Sequence, residues 1–348
     1  MKKLIFVLFI FINYNVFSQI VEIDKDLSKA DFSFLHEKIK GKKIVCVGED
    51  EHRFESINEV KAALVDYLIE KEGFSVVVFE ASMISVKTSD VLKDDPKAWV
   101  KNGMYGVWRT QSVLKMMEKM DKKINLYGFD MQRVKGINFI ELLKPHYQIS
   151  SKFLQEVAST DSLSQYLWYN FEINKPSPDG KIVETVFTNL KDTLISLNKT
   201  VKISKSEQDY ILQCVQNNIY HGEYVANHKG FINTNILRDS INSFNLKWII
   251  ARHPNEKIIV WAANGHVAKE FPYFKSTVEY LGKEVLDRDV YSLGIFHKTE
   301  FDRDYFKNRK TLKNKHVFFD YKSKSLGKEH DGGILTSGIK KIKDYRID

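Results

Sequence analysis

The spacing of apolar positions changes several times along the chain, and each change marks an element. Residues 27–39 carry apolar side chains at helical spacing, and Gly41 follows as a stop. Residues 43–48 form a short apolar run that predicts a first strand. Within residues 58–72, Val60, Ala63, Leu64, Tyr67 and Leu68 recur on one helical face, ending before Gly73. Residues 75–80 are continuously apolar through Val76, Val77, Val78 and Phe79, the pattern of a strand covered on both faces. Strand, helix and strand in that order make a βαβ unit and imply a parallel pair.

The pattern continues with a helix over 113–120 and a third short strand over 124–127, from which Gly128, Phe129 and Asp130 lead away. Residues 138–248 show helical signals separated by polar loops, one of them the turn at 176–180, and no strand pattern. Residues 257–261 restore the strand pattern, followed by Ala262, Ala263, Asn264, Gly265 and His266. Residues 290–296 predict another strand, with weaker candidates at 317–319 and 333–335. The predicted fold class is therefore α/β. It is a three-layer α/β/α domain over residues 19–348, with a mainly parallel sheet and a long helical insertion at about 138–248.

Composition adds an address. Residues 1–18 open with Lys2 and Lys3, run apolar from Leu4 to Ile12 and end in small or branched residues, the pattern of a cleaved signal peptide. The apolar run is shorter than the roughly 20 residues of a spanning helix, so no stable membrane insertion is expected. An exported protein, periplasmic or extracellular, follows. The formal charge of +8 becomes +6 without those two lysines, and much of the excess falls near residues 307–315 and 340–343. That basic stretch has no aromatic interleaving and reads as a solvated face, so no nucleic-acid partner is expected. Cys46 and Cys214 are too few for a disulfide framework, although one bridge between them is compatible with export. The sequence sets no oligomeric state.

Four predicted strands each deliver polar groups toward a carboxyl end: Glu49 and His52, then Glu80, then Asp130, then Asn264 and His266. Parallel strands share one carboxyl edge, which brings these residues together whatever their distance in sequence. A histidine near its ordinary pKa of about 6.5 takes a proton from attacking water, and a carboxylate from Glu49 or Glu80 would hold its tautomer. His266 is suited to bind the water or protonate a leaving alkoxide, and Arg238 to steady an oxyanion. Tyr105, Trp108, Tyr220 and Tyr224 fall where aromatic groups would cover the edge and grip an apolar ligand. His221 and His228, seven apart, share one helical face, as a surface stripe or as a lining of the cleft. No G-x-S-x-G elbow is present, which disfavours a serine hydrolase. Glu49, His52, Glu80 and His266 also make a mixed set of metal donors, but without H-E-x-x-H or a cysteine and histidine cluster no metal or other cofactor is expected.

The ordered motifs resemble those of the erythromycin esterase family. They are Gly48-Glu49 to His52 and Glu55, Glu70 to Gly73-Phe74, Phe79-Glu80, Tyr127-Gly128-Phe129-Asp130, Arg238-Asp239, and Val260-Trp261 to Asn264 and His266. The resemblance implies an α/β core with helical additions. It also implies an enzyme that hydrolyses an ester or lactone, macrolides among them, by direct attack of water without a covalent serine intermediate. Carried over residue by residue, it makes His52 the general base with Glu49, Glu80 and His266 as catalytic partners, and Arg238, Asp130, Asn264 and Glu55 as substrate-binding residues; Trp108 joins that last set as one of the aromatic residues expected to cover the edge. Two positions depart from the family pattern. Ala263 stands where the family commonly has a histidine, and Glu51 and Arg53 flank His52 where it usually has a small hydroxylated residue and a glycine. These departures leave open a different substrate, or a relative that binds its ligand without cleaving it.

Overall fold

One eight-stranded sheet carries the molecule, in the order β1-β7-β8-β6-β2-β5-β3-β4. The computed structural model describes residues 20–297 apart from 171, 173 and 174, together with 315–320, 328–337, 340–342 and 345–347. The leader expected over residues 1–18 and nearly all of the basic stretch at 307–315 lie outside the described residues. The first half of the chain runs β1 (Ile20–Asp24), α1 (His36–Ile39), β2 (Ile44–Val47), α2 (Glu55–Glu72), β3 (Phe74–Ser82), α3 (Met83–Ser89), α4 (Pro96–Gly103), α5 (Gln111–Lys119) and β4 (Asn125–Asp130). Four long helices follow: α6 (Ser151–Tyr169), α7 (Gly180–Leu197), α8 (Lys205–Asn227) and α9 (Phe231–Arg252). The sheet then resumes with β5 (Lys257–Trp261), α10 (Asn264–Val267), α11 (Lys283–Asp289), β6 (Val290–His297), β7 (Lys315–Asp320) and β8 (Gly332–Thr336).

The alternation of side chains along each strand builds two cores. Ile44, Cys46, Val76, Val78, Ile258 and Val260 face the layer that contains the long helices. Val45, Val47, Val77, Phe79, Ile259 and Trp261 face the layer that contains α2, α4 and α5. Strands covered on both sides have no polar face to spare, which explains their unbroken apolar runs. The three-layer α/β/α class expected from the pattern is thus the fold, with a parallel sheet except at β7, which pairs antiparallel with β1 and β8.

Three local expectations change. β2 and β3 are parallel but not neighbours, because β5 lies between them and pairs with both. A crossover requires only that both strands run the same way in one sheet, and it leaves room for a third strand. Residues 27–39 form two 3-10 turns and the four-residue α1 rather than one helix. Asp26 accepts from Ser28 N–H and Asp31 from Ser33 N–H, and such short side-chain bonds compete with helix propagation. Finally, β3 runs two residues past Glu80, to Ser82, and β4 extends to Asp130, so Asp130 closes its strand rather than following it. Cys46 and Cys214 are free and buried, and no bridge joins them.

Candidate active site

The turn after β2 is pinned from both sides of the sheet. Gly48 N–H donates to Leu293 O at 2.8 Å, and Asn264 N–H donates to Glu49 O at 2.7 Å. Only glycine fits at position 48, since a Cβ there would lie 2.1 Å from Asn264 Oδ1. The next residue, Glu49, is buried, and its carboxylate receives three donors from three different elements: His52 Nδ1, Trp108 Nε1 at 2.8 Å and Lys61 Nζ at 2.7 Å. Lys61 is itself fully buried on α2, where it also donates to Ala262 O at 3.1 Å and lies 4.3 Å from the centroid of the Trp261 ring. Burial alone would push the Glu49 carboxyl up, but Lys61 and His52 outweigh it and hold the group below its ordinary value.

His52 is the open member of this cluster, with 40% of its side chain exposed. Its ring meets Trp108 edge-on at 5.5 Å. With Nδ1 committed to Glu49, Nε2 is the nitrogen left to exchange a proton with a ligand or water. Burial lowers the affinity of the ring for a proton, but the bond and charge of Glu49 and the charge of Glu80 more than compensate, so its pKa is raised above 6.5.

A second charged cluster lies along β3, β4 and α9. Arg238 Nη2 donates to Glu80 Oε1 at 2.9 Å and also to Asp130 Oδ2, while Asn242 Nδ2 donates to Asp130 Oδ1 at 3.2 Å. The other Glu80 oxygen accepts from Ala263 N–H at 2.8 Å. His266 Nδ1 is 2.7 Å from Asp239 Oδ1, and Asp239 in turn accepts from Thr277 N–H at 2.8 Å and from the Thr277 hydroxyl. His266 Nε2 lies 3.2 Å from both Glu80 Oε1 and Arg238 Nη1, so it either donates to the carboxylate or accepts from the guanidinium. Burial disfavours the imidazolium, but Asp239 and Glu80 outweigh it and push the His266 pKa up to about 10, which favours the proton on Nε2. Burial would raise the Glu80 carboxyl, yet His266 and Arg238 hold it well below the usual range. The site thus sets the carboxyl groups of Glu49, Glu80, Asp130 and Asp239 against Lys61, Arg238 and two histidines that both favour their charged forms.

The structure therefore brings His52, Glu49 and Trp108 into one cluster, and Glu80, Asp130, Arg238 and His266 into another. The charge of Glu80 reaches His52 and Lys61, which couples the two. Two predicted residues serve other ends. Glu55 is buried and turned to α5, where it accepts from Ser112 N–H at 3.0 Å and from the Ser112 hydroxyl at 2.7 Å, as a helix cap does. Asn264 is buried, with Oδ1 packed against Gly48 and Nδ2 3.5 Å from Ile295 O of β6. His221 and His228 are not a surface stripe: both are buried, and His228 lines a pocket with Tyr166, Asn170 and Glu172. His221 is fully buried against Ser164, with its pKa pushed down to about 3, and His228 is buried with Nε2 2.8 Å from Glu172 O. Among the aromatic residues, Tyr105 stacks on Trp108, whereas Tyr220 stacks on Phe244 and Tyr224 on His228. Among the described residues, no group of three or more His, Cys, Asp and Glu is arranged to hold a metal ion.

Sequence reasoning missed Lys61 and Asp239. Lys61 shares the spacing of Ile57, Leu64 and Leu68, so a lone charge on that apolar stripe was the available signal. Asp239 is the second residue of the Arg238-Asp239 motif, overlooked because adjacent helical residues face different directions.

A three-layer α/β/α fold whose carboxyl edge gathers two histidine and carboxylate pairs defines an α/β protein with an ionised site suited to acid–base chemistry. The chain belongs to the erythromycin esterase family, whose model, described as erythromycin esterase, matches residues 69–307. That match begins after the His52 turn. YbfO of Bacillus subtilis (strain 168), a provisionally named hydrolase, is 25% identical over 306 residues, covering 77% of this chain and 68% of its own. A Bacillus cereus protein shares the fold with a TM-score of 0.71 at 17% identity, covering 93% of this chain and 97% of its own. A variant of the erythromycin esterase EreC in its open conformation shares it with a TM-score of 0.64 at 13% identity, covering 93% and 98%. The family carries a general resemblance to hydrolases acting on small molecules.

Proposed function

We propose that the protein is an exported hydrolase that opens an ester or lactone by direct attack of water. The observation that carries this reading is His52, an exposed ring whose Nδ1 is held by a buried carboxylate, with its other nitrogen left to take a proton. In the proposed reaction His52 Nε2 accepts a proton from water as the water oxygen bonds to the carbonyl carbon. The carbon–oxygen bond to the alcohol then breaks, and His266, protonated at neutral pH, gives its proton to the leaving alkoxide. Transfer of a proton from His52 to solvent and uptake of one by His266 reset the site. Arg238 is held by Glu80 and Asp130, so its part is to keep both acids ionised and His266 in place rather than to meet the oxyanion alone. Export is supported by Lys2, Lys3 and the apolar run after them, and among the described residues no helix is long and apolar enough to cross a membrane.

The test is incubation of the mature protein with macrolides, other lactones and simple esters, followed by mass spectrometry for a gain of one water. A His52→Ala variant that matches the wild type would overturn the role of the base. Ala263 favours a second reading, a relative that retains the charged clusters but binds without cleaving. Tight binding of an intact ligand, with no activity gained by Ala263→His, would support it.

A further inference from the structure

The loop carrying His52 and the loop carrying Trp108 are tied by a segment that neither the motifs nor the family match includes. Residues 340–342 add to the first loop: Glu55 N–H donates to Lys340 O at 2.7 Å, and Ile342 N–H donates to Arg53 O at 2.9 Å. Residues 345–347 add to the second in the same way: Gln111 N–H donates to Tyr345 O at 3.0 Å, and Ile347 N–H donates to Arg109 O at 3.0 Å. Each pair brackets an isolated antiparallel bridge, Phe54 with Lys341 and Thr110 with Arg346. Ile342 and Ile347 are buried, and Lys340 Nζ binds Glu59 of α2 at 2.6 Å.

The clamped residues Arg53 and Arg109 directly follow His52 and Trp108. Those two side chains converge on a single acceptor, Oε1 of Glu49. A shared acceptor demands that both loops hold their positions at once, and four backbone bonds from one segment supply that constraint. The geometry points to residues 340–342 and 345–347 as a positioning strap that sets the His52 ring on Glu49 for catalysis. This inference rests on the hydrolase reading above for its kinetic consequence, but not for its structural one.

The test compares proline with alanine at positions 342 and 347. Both substitutions remove the buried side chain, but only proline removes the N–H that clamps Arg53 or Arg109. The first readout is the titration of His52 by NMR, a ring that also feels Glu51, Glu80 and Lys61. The second is kcat and KM on whichever ester or lactone the wild type opens. Ile342→Pro and Ile347→Pro are expected to move the His52 pKa down toward about 6.5. They should also lower kcat about tenfold to a hundredfold with KM little changed. The alanine variants should change both much less. Folded proline variants that titrate and turn over like the alanine ones overturn the strap. If the wild type opens no ester or lactone, the hydrolase reading fails while the titration still decides the strap. If the proline variants do not fold, hydrogen exchange in the wild type decides it. Shared protection of the Glu55, Gln111, Ile342 and Ile347 amides supports the strap, and rapid exchange at Glu55 and Gln111 overturns it.

Discussion

Two histidines at one edge of the sheet are both held toward their charged forms, but by different partners and at different exposure. The pKa of His52 is raised above 6.5 by Glu49 against the effect of burial, so its basic form fills only above that value. The rate of hydrolysis should therefore fall as pH drops through a midpoint above 6.5, and a pH profile of kcat/KM reads that midpoint directly. His52→Ala should reduce kcat/KM by about a hundredfold to ten-thousandfold, the usual range for losing a general base. His266 also sets a stability limit. Its folded pKa of about 10 lies above the unfolded value, so its contribution is complete below pH of about 6.5 and is lost as pH rises toward 10. Glu80 has the opposite sign, since its folded pKa is depressed. Its contribution is present above about 4.3 and lost as pH falls. Urea unfolding across pH should show a plateau between these limits and an alkaline decline on the order of 4 kcal/mol. His266→Gln should remove that decline. Glu49, His52, Glu80 and His266 were legible in the sequence because strand ends announce where polar groups leave a core. Lys61 was not, because a lysine on an apolar stripe ordinarily extends its amine to water, and here Glu49 and Ala262 receive it inside.

At the scale of elements, the site depends on how closely its helices and strands approach. Arg238 is the sole residue of α9 bonded to both Glu80 of β3 and Asp130 of β4 among the described hydrogen bonds. Arg238→Ala would leave two buried acids without it and should destabilise the protein by about 3–5 kcal/mol, measured by chemical denaturation. Helices α7 and α8 meet back to back through Gly180 and Gly222. A Cβ at Gly222 would lie 2.6 Å from Gly180 O and 2.7 Å from Glu184 N. Both neighbours are backbone atoms, so no rotamer relieves the clash, and Gly222→Ala should cost about 1–3 kcal/mol in the same assay. The strand cores were legible from their unbroken apolar runs. β1 escaped notice because its residues alternate in character, α3 because it follows β3 without a break, and α4 because it is short. The position of β5 between β2 and β3 was not legible either, since periodicity identifies strands but says nothing of their order.

The whole molecule joins parts that are remote in sequence. The family match ends at residue 307, yet residues 340–342 and 345–347 reach back to the loops after β2 and before α5. The basic composition of that stretch predicts a solvated face, and Lys341 is exposed and Lys340 half-exposed beside Glu59, while Ile342 and Ile347 are buried. Charge patterning gives no sign of the docking, because the bonds that hold the segment are made by its backbone, which carries no compositional trace. The same remoteness governs the birth of the protein. Ile44 of β2 pairs with Ile258 and Val290, so the central strand has no lateral partner until most of the chain has been made. The long helices can form as local hairpins meanwhile, and β3 can pair with β4, while β2 and the other edge of β3 remain unpaired apolar segments. Synthesis that stalls before residue 257 would thus yield a chain with folded helices and no site, open to aggregation along β2 and the free edge of β3, the strands that later position Glu49 and Glu80.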